Sequence, residues 1–430
     1  MQSPDSIRSG DSVGASPVPW PPFHWLEHPE IKPIVDDFWR VRYDERDLAM
    51  HNRFLEILKL SKQGLNGDEI GRQLRMNNVR AFLTGRKKSF LTHLRAEHDR
   101  LGSPRSGNEW LPSSLKPRGV PGESWIQVPR EIRGIDDVVS VMTQIAPNQT
   151  TSDMKSEFGY SKEDEFARER AGLFGFFIGA AIGDAGKHRK GESKFVSKAI
   201  SLVLSKDKPN SYRFGEFTSL CARASLGLNM HRIADAPASK HRYSKAGCYR
   251  WISPASPLVG WVFHDCLGLR AGELTTYNPL KMDWLVDAPA WFKTAVLQGV
   301  SESDGWVDAG SDTVCLVSSP NTELFTTVLG SLGVGIRVDQ QELVEVIRIP
   351  TEDAMMLPMF NPRIHSIYYE QMEIMSRAAG LPERIRLQAE VVGHIRELSS
   401  RHNTLTGVCL DLASKYGIKV SSQTVKKYIG

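Results

Sequence analysis

Apolar positions recur with different periods along the chain, and each stretch predicts a different kind of structure. Between residues 45 and 100, Phe54, Leu55, Leu58 and Leu60 fall at helical spacing, and Gly64 and Gly67 end that run. Asp68 to Leu74 then suits a short second helix, "RMNN" a turn, and Val79 to Leu83 the start of a third. Two short helices joined by a tight turn predict a helix-turn-helix layout. Over 101–133, Pro104, Pro112, Pro117, Pro121 and Pro129 recur among Gly and Ser and bar a helix, so a wrapped linker is expected. From 134 to about 375, long apolar helices alternate with strand patterns such as "KFVSKAISLVLSK" and "ELVEVIRIP", which reads as an α+β domain. The tail, 379–430, returns to helices. Val391, Val392, Ile395 and Leu398 line one face, Leu405 to Tyr416 form a second helix, "GIKVSS" turns, and Gln423 to Ile429 form a last one, again helix-turn-helix-like.

The most apolar window is "GLFGFFIGAAIGDAG", residues 172–186. Its uncharged run is shorter than the roughly 20 residues a membrane span needs, so a core helix or the wall of a site is expected instead. Residues 1–44 read as an N-terminal extension. Its "SGDSVGASPVPWPPF" lacks the basic and then apolar pattern of a secretory signal. Five cysteines without a CxxC pair argue against a zinc cage or a disulfide framework and suit reduced thiols in a cytoplasmic protein. A net charge of +4 over 430 residues permits a nucleic-acid partner without demanding one, so the clustering of basic residues carries more weight.

In "GFFIGAAIGD" small residues recur every fourth position at Gly175, Gly179 and Gly183, and Asp184 follows. In "TAVLQGVSESDGWVD" they recur at Ala295, Gly299 and Ser303, and Asp304 follows. Each position of the second series lies 120 residues beyond its partner (295 − 175, 299 − 179, 303 − 183, 304 − 184), the mark of an internal duplication. Residues four apart share a helix face, and a stripe of small ones lets two backbones touch. Packing the two stripes together would bring Asp184 and Asp304 side by side. Crowded carboxylates repel and hold their protons unless a divalent cation lies between them. Paired acids beside phosphate suit metal-assisted phosphodiester hydrolysis. The competing reading makes both aspartates C-terminal turn residues with Gly186 and Gly305 as breaks, yet an acid at the negative end of a helix dipole is unfavourable.

"LQGVSESDG", Leu297 to Gly305, resembles the nine-residue motif of LAGLIDADG homing endonucleases, and "FIGAAIGDA", Phe177 to Ala185, resembles a looser first copy. The second copy matches at Leu297, Gly299, Asp304 and Gly305, with Glu302 as the earlier acid. The first keeps Gly179 and Asp184 but has Ile182 and Ala185 at the other two positions. The resemblance implies a pseudo-twofold αββαββα core in two halves, 134–280 and 281–378, acting as a monomer with its sheets saddled over double-stranded DNA. It implies Mg2+ (or Mn2+) held by Asp184 and Asp304. It also implies a basic residue near the site, for which the strand ends offer Arg250 and Arg348.

Basic residues cluster where such a saddle would meet phosphates: Lys187, Arg189, Lys194 and Lys198 after the first motif, and Lys240, Arg242 and Lys245 in the later loop. Arg80, Arg86 and Lys87 would extend the footprint from the N-terminal helices, and Lys426 and Lys427 from the tail. The expected function is a site-specific endonuclease of the homing type. The alternatives are a LAGLIDADG-derived transcription regulator that no longer cleaves, and an RNA maturase assisting intron splicing.

Overall fold

A computed structural model describes residues 32–38, 45–113, 115–116, 120–121, 124–145, 163–187, 199–237, 245–270, 273, 275, 277–341, 344–380, 387 and 389–429. They divide into two compact units, Met1–Leu111 and Pro112–Gly430. Most of the expected N-terminal extension lies outside the described residues. Among the described residues no helix is long and apolar enough to cross a membrane.

The first unit is helical: Lys32–Asp37, Glu45–Lys62, Gly67–Leu74, Val79–Leu83 and Phe90–Leu101. Asn66 starts Gly67–Leu74 with a capping box, its Oδ1 accepting from the Glu69 N–H at 3.0 Å while Glu69 Oε2 accepts from the Asn66 N–H at 2.8 Å. The helix ends at Arg75 in the left-handed region, φ 51°. Phe54, Ile57, Leu60, Ile70, Val79 and Phe82 form one buried cluster, so helices Gly67–Leu74 and Val79–Leu83 hang on Glu45–Lys62. The helix in the recognition position of the expected layout is short, only Val79–Leu83.

The stretch expected as a linker is structured. It holds strands Asn108–Pro112 and Trp125–Pro129, in which Leu111 and Val128 are fully buried. Proline bars a helix interior but fits the ends of extended segments, and Pro112 and Pro129 each end a strand.

The second unit is mixed α+β and contains one pattern twice. A first motif helix, Glu163–Asp184, leads into β1 (Ala185–Lys187) and β2 (Ile200–Ser205). A helix, Ser211–Leu226, and strands β3 (His231–Ala236) and β4 (Cys248–Ile252) follow, and then Pro257–Trp261 runs on into a π turn at Val262–Cys266. The second motif helix, Ala290–Asp304, leads into β5 (Gly305–Asp308) and β6 (Thr313–Val317). Helix Thr322–Ser331, strands β7 (Arg337–Gln341) and β8 (Val344–Pro350), and helices Thr351–Met356 and Ser366–Arg377 complete it. Both sheets are antiparallel with the same order, β1-β2-β4-β3 and β5-β6-β8-β7.

Strand alternation gives the first sheet a core face, with Leu202, Leu204 and Trp251 buried, and an open face; in the second sheet Val314, Leu316, Ile347 and Ile349 are buried on one face and Cys315, Val346 and Arg348 on the other. Gly215 lets its helix press on the first sheet, since a Cβ there would overlap the Trp251 ring. Arg170 ties three segments together. Its guanidinium donates to the carbonyls of Met142 (2.8 Å), Ile145 (3.0 Å), Ala224 (3.0 Å) and Ser225 (3.2 Å), placing positive charge at the C-terminal ends of Ile135–Gln144 and Ser211–Leu226.

The tail helices Ala389–Arg401, Leu405–Tyr416 and Ser422–Ile429 share a core with the second sheet's neighbours, Ile395, Leu412 and Val425 packing with Ala309 and Met375. The Ser422 N–H donates to the Gly310 carbonyl at 3.0 Å, and a Cβ on Gly310 would overlap the Ser422 hydroxyl. The first residue of the last helix is therefore seated on the β5–β6 turn. In a helix-turn-helix the N-terminal residues of that helix face the bases. Here Lys426 and Lys427 are exposed further along it.

Candidate active site

The two motif helices meet along their small residues. A Cβ on Gly179 would overlap the Val296 carbonyl oxygen and lie 2.9 Å from Gly299 Cα, and one on Gly299 would overlap the Phe176 carbonyl oxygen. No side chain fits between the backbones at this point. One turn further, a Cβ on Gly183 would overlap the Ser303 hydroxyl and lie 2.8 Å from Asp304 Oδ2. The stripes thus deliver the two C-terminal aspartates to one place. Neither helix ends in a left-handed glycine. Gly305 is extended, φ −98° and ψ 163°, and the chain passes straight into β5.

Asp184 and Asp304 are half-buried, and each lies within reach of the other's charge. Burial, and then the neighbouring Asp304 charge, pushes the Asp184 carboxyl up to about 7, with Lys208 opposing the rise. Burial likewise raises Asp304, again against Lys208. A cavity of about 470 Å³ opens beside them, lined by Asp184, Ser205, Lys208, Glu302, Ser303 and His365 among others. Lys208 Nζ donates to the Ser303 carbonyl at 3.1 Å, which sets its charge beside the pair.

Lys208 is a basic residue beside the pair that reading the strand ends misses. It stands in "KPNS", residues 208–211, between β2 and the following helix; "SPNT", residues 319–322, fills the same place after β6. Ser319 therefore takes the position of Lys208 in the second half. Glu302 and His365 are also part of the cavity wall. Glu302 is 3% exposed and His365 4%.

The structure treats the two expected arginines differently. Ala185 pairs with Leu202, and Val203 with Arg250, so one step back along β1 puts Asp184 level with Arg250 on the first sheet. Gly305 pairs with Leu316, which puts Asp304 level with Val317, whereas Arg348 lies opposite Cys315, two positions away. Arg348 is 9% exposed and already engaged, with Nη1 on Asp308 Oδ2 at 2.8 Å and Nε on Asp339 Oδ2 at 2.6 Å. Its guanidinium is not brought to the aspartates.

Of the expected DNA contacts, Arg189, Lys194, Lys198, Lys240 and Arg242 lie outside the described residues, as does the side chain of Lys187. Lys245 is exposed, its backbone N–H donating to Asp207 Oδ2 at 2.6 Å. In the first unit Arg80, Arg86 and Lys87 are exposed. Arg80 meets Asp68 at 3.1 Å, and the Lys87 ammonium lies 5.0 Å from the centre of the Phe82 ring.

The donor set at the aspartates is all oxygen, which suits a hard divalent cation. Among the described residues no group of three or more His, Cys, Asp or Glu side chains forms a closed metal cage. Two carboxylates with the remaining positions left to water and phosphate oxygens match the way Mg2+ is usually held.

No family model matches the chain, and no curated protein matches it in sequence. Solved structures with a similar course include I-DmoI in complex with DNA and Mn, with 13% identity, 44% of this chain and 94% of that one covered, and a TM-score of 0.31. The homing endonuclease I-WcaI bound to its DNA recognition sequence has 12% identity, coverage of 55% and 98%, and a TM-score of 0.34. Full-length DUF199/WhiA from Thermatoga maritima has 10% identity, coverage of 60% and 89%, and a TM-score of 0.31. Likenesses this distant leave the function to be read from the site itself.

Proposed function

We propose that the protein is a divalent-metal-dependent endonuclease that cuts double-stranded DNA at a long, rare site, built on a duplicated LAGLIDADG core. The observation that carries this reading is the delivery of Asp184 and Asp304 to one point by two helices whose stripes leave no room for side chains. Asp184 and Asp304 would hold Mg2+ or Mn2+, which when bound supplies Lewis acidity and a more acidic water for phosphodiester hydrolysis. Lys208 sets a positive charge where the phosphate gains negative charge, a role that would otherwise have fallen to Arg250 or Arg348. Arg250, level with Asp184 on the open face of the first sheet, would contact the backbone of bound DNA, while Arg348 braces the second sheet through Asp308 and Asp339.

Lysine in one half and serine in the other support an asymmetric target. Lys187, Arg189, Lys194, Lys198, Lys240, Arg242 and Lys245 would contact phosphates beside the core, Arg80, Arg86 and Lys87 from the first unit, and Lys426 and Lys427 from the tail. A second reading, a regulator that binds DNA without cutting it, is favoured by the first unit. There the short helices, the left-handed turn at Arg75 and the exposed Arg72, Asn77 and Arg80 support base and phosphate contact in any event.

One assay separates the two readings. The protein is incubated with a plasmid library and Mg2+, alongside Asp184→Asn and Asp304→Asn. Linearised or nicked plasmid that needs both the metal and both aspartates supports the nuclease. Sequence-specific binding by the wild type with no metal-dependent nicking leaves the regulator.

A further inference from the structure

A closed ring of contacts joins the second motif helix to the loop that carries Lys208. Glu302, two residues before Asp304, accepts the Asn361 N–H on Oε1 at 2.6 Å, and its Oε2 meets His365 Nδ1 in a short hydrogen bond. On the other side of the imidazole, His365 Nε2 lies 3.0 Å from the Pro209 carbonyl oxygen. A carbonyl can only accept, so Nε2 carries a proton and donates it. Pro209 is covalently next to Lys208, whose ammonium donates to the carbonyl of Ser303 at 3.1 Å, and Ser303 is covalently next to Glu302. The ring therefore runs from Glu302 through His365, Pro209, Lys208 and Ser303 and back to Glu302. Both acidic and imidazole members are almost wholly buried, so the ring is built into the protein rather than adsorbed on its surface.

We infer that His365, held by Glu302, is a positioning residue that fixes the 206–210 turn so that the Lys208 ammonium stands beside Asp184 and Asp304. A lysine side chain has four rotatable bonds and loses considerable rotamer freedom on being fixed. Anchoring the adjacent carbonyl restrains the turn that carries it, leaving fewer positions for the ammonium to search. The first motif has no counterpart, because Ile182 stands where Glu302 does (302 − 120) and cannot hold an imidazole. This explains why an acid is present at that position in the motif whose partner loop carries the lysine across the helix pair. The role given to Lys208 rests on the nuclease reading; the tie that orders it does not.

The test uses the full-length, metal-free protein and the NMR signals of lysine ammonium groups, with the Lys208 signal assigned by its loss in Lys208→Met. An ammonium held on a carbonyl exchanges slowly enough to be seen. An asparagine amide takes the place of His Nδ1 and a glutamine amide that of Nε2. His365→Asn therefore keeps the bond to Glu302 and loses the one to Pro209, whereas His365→Gln keeps the reach to Pro209. The Lys208 signal is expected in wild type, His365→Gln and Glu302→Gln, and is expected to vanish in His365→Asn. Persistence in His365→Asn, absence from wild type, or loss from both glutamine variants overturns the inference. With a cleavable duplex in hand, both His365→Asn and Lys208→Met should slow single-turnover cutting roughly tenfold or more, with binding unchanged. The expected NMR pattern without any cleavage would count against the nuclease alone.

Discussion

The carboxylate pair makes stability depend on pH in an unusual direction. Asp184 is pushed from the ordinary carboxylate value of 3.8 to about 7 by burial and by Asp304. The folded protein then holds that proton more tightly than the unfolded chain does. Below pH about 4 both states are protonated and nothing is lost. Between about 4 and 7 the unfolded chain gives up its proton first, so stability falls as pH rises, and above about 7 the loss is complete. A difference of this size corresponds to at most about 4 kcal/mol, and roughly 2 to 4 for a half-buried, partly screened group. Asp184→Asn should therefore be more stable than wild type by about that amount at pH 8 and no more stable at pH 4. The assay is urea unfolding in the presence of a chelator from pH 4 to 8, followed by tryptophan fluorescence. Adding Mg2+ at pH 8 should raise the wild-type midpoint and leave that of Asp184→Asn unchanged. A stability difference that does not vary with pH, or a less stable Asp184→Asn protein at pH 8, would refute the crowding of the two acids.

Gly179→Ala places a Cβ against the Val296 carbonyl and should cost about 3 kcal/mol or more, with lost metal binding, measured by thermal unfolding and Mn2+ titration. Arg170→Ala leaves four carbonyls without their donor and should cost about 3 to 5 kcal/mol in urea; a loss below about 1 would contradict its tying role. Replacing both Arg86 and Lys87 by Ala should weaken DNA binding and lower the slope of log affinity against log salt by about 2, read from fluorescence anisotropy, whereas an unchanged slope would remove the first unit from the interface.

The motif helices were legible because a stripe of small residues has a period, and the same stripe ended twice on aspartate in one register. Helix packing follows from that pattern without knowledge of anything else in the chain. Lys208 was not legible by the same fixed offset, since the two halves differ in loop length. Ser211 lies 27 residues after Asp184 (211 − 184), but Thr322 only 18 after Asp304 (322 − 304). The repeated "PN" is offset by 111 rather than 120 (320 − 209), so it falls out of step with the motifs. Which arginine reaches the site depends on strand register, a tertiary property. Arg348 reads as available in "VIRIP", but the pairing puts Asp308 and Asp339 on the same face of the sheet, and they bind it. His365 gave no local signal at all, since both its partners are distant in sequence and its role arises only when the chain closes. The prolines of 101–133 excluded helix correctly but could not distinguish a bare linker from strands.

On the proposed reading, Asp184 and Asp304 together would hold one divalent cation. Anomalous diffraction from crystals grown with Mn2+ and a bound duplex should show a manganese peak between the two carboxylates, on the order of 2 to 2.5 Å from an oxygen of each. Well-ordered aspartates hydrogen-bonded to each other, with no peak between them at saturating Mn2+, would contradict it.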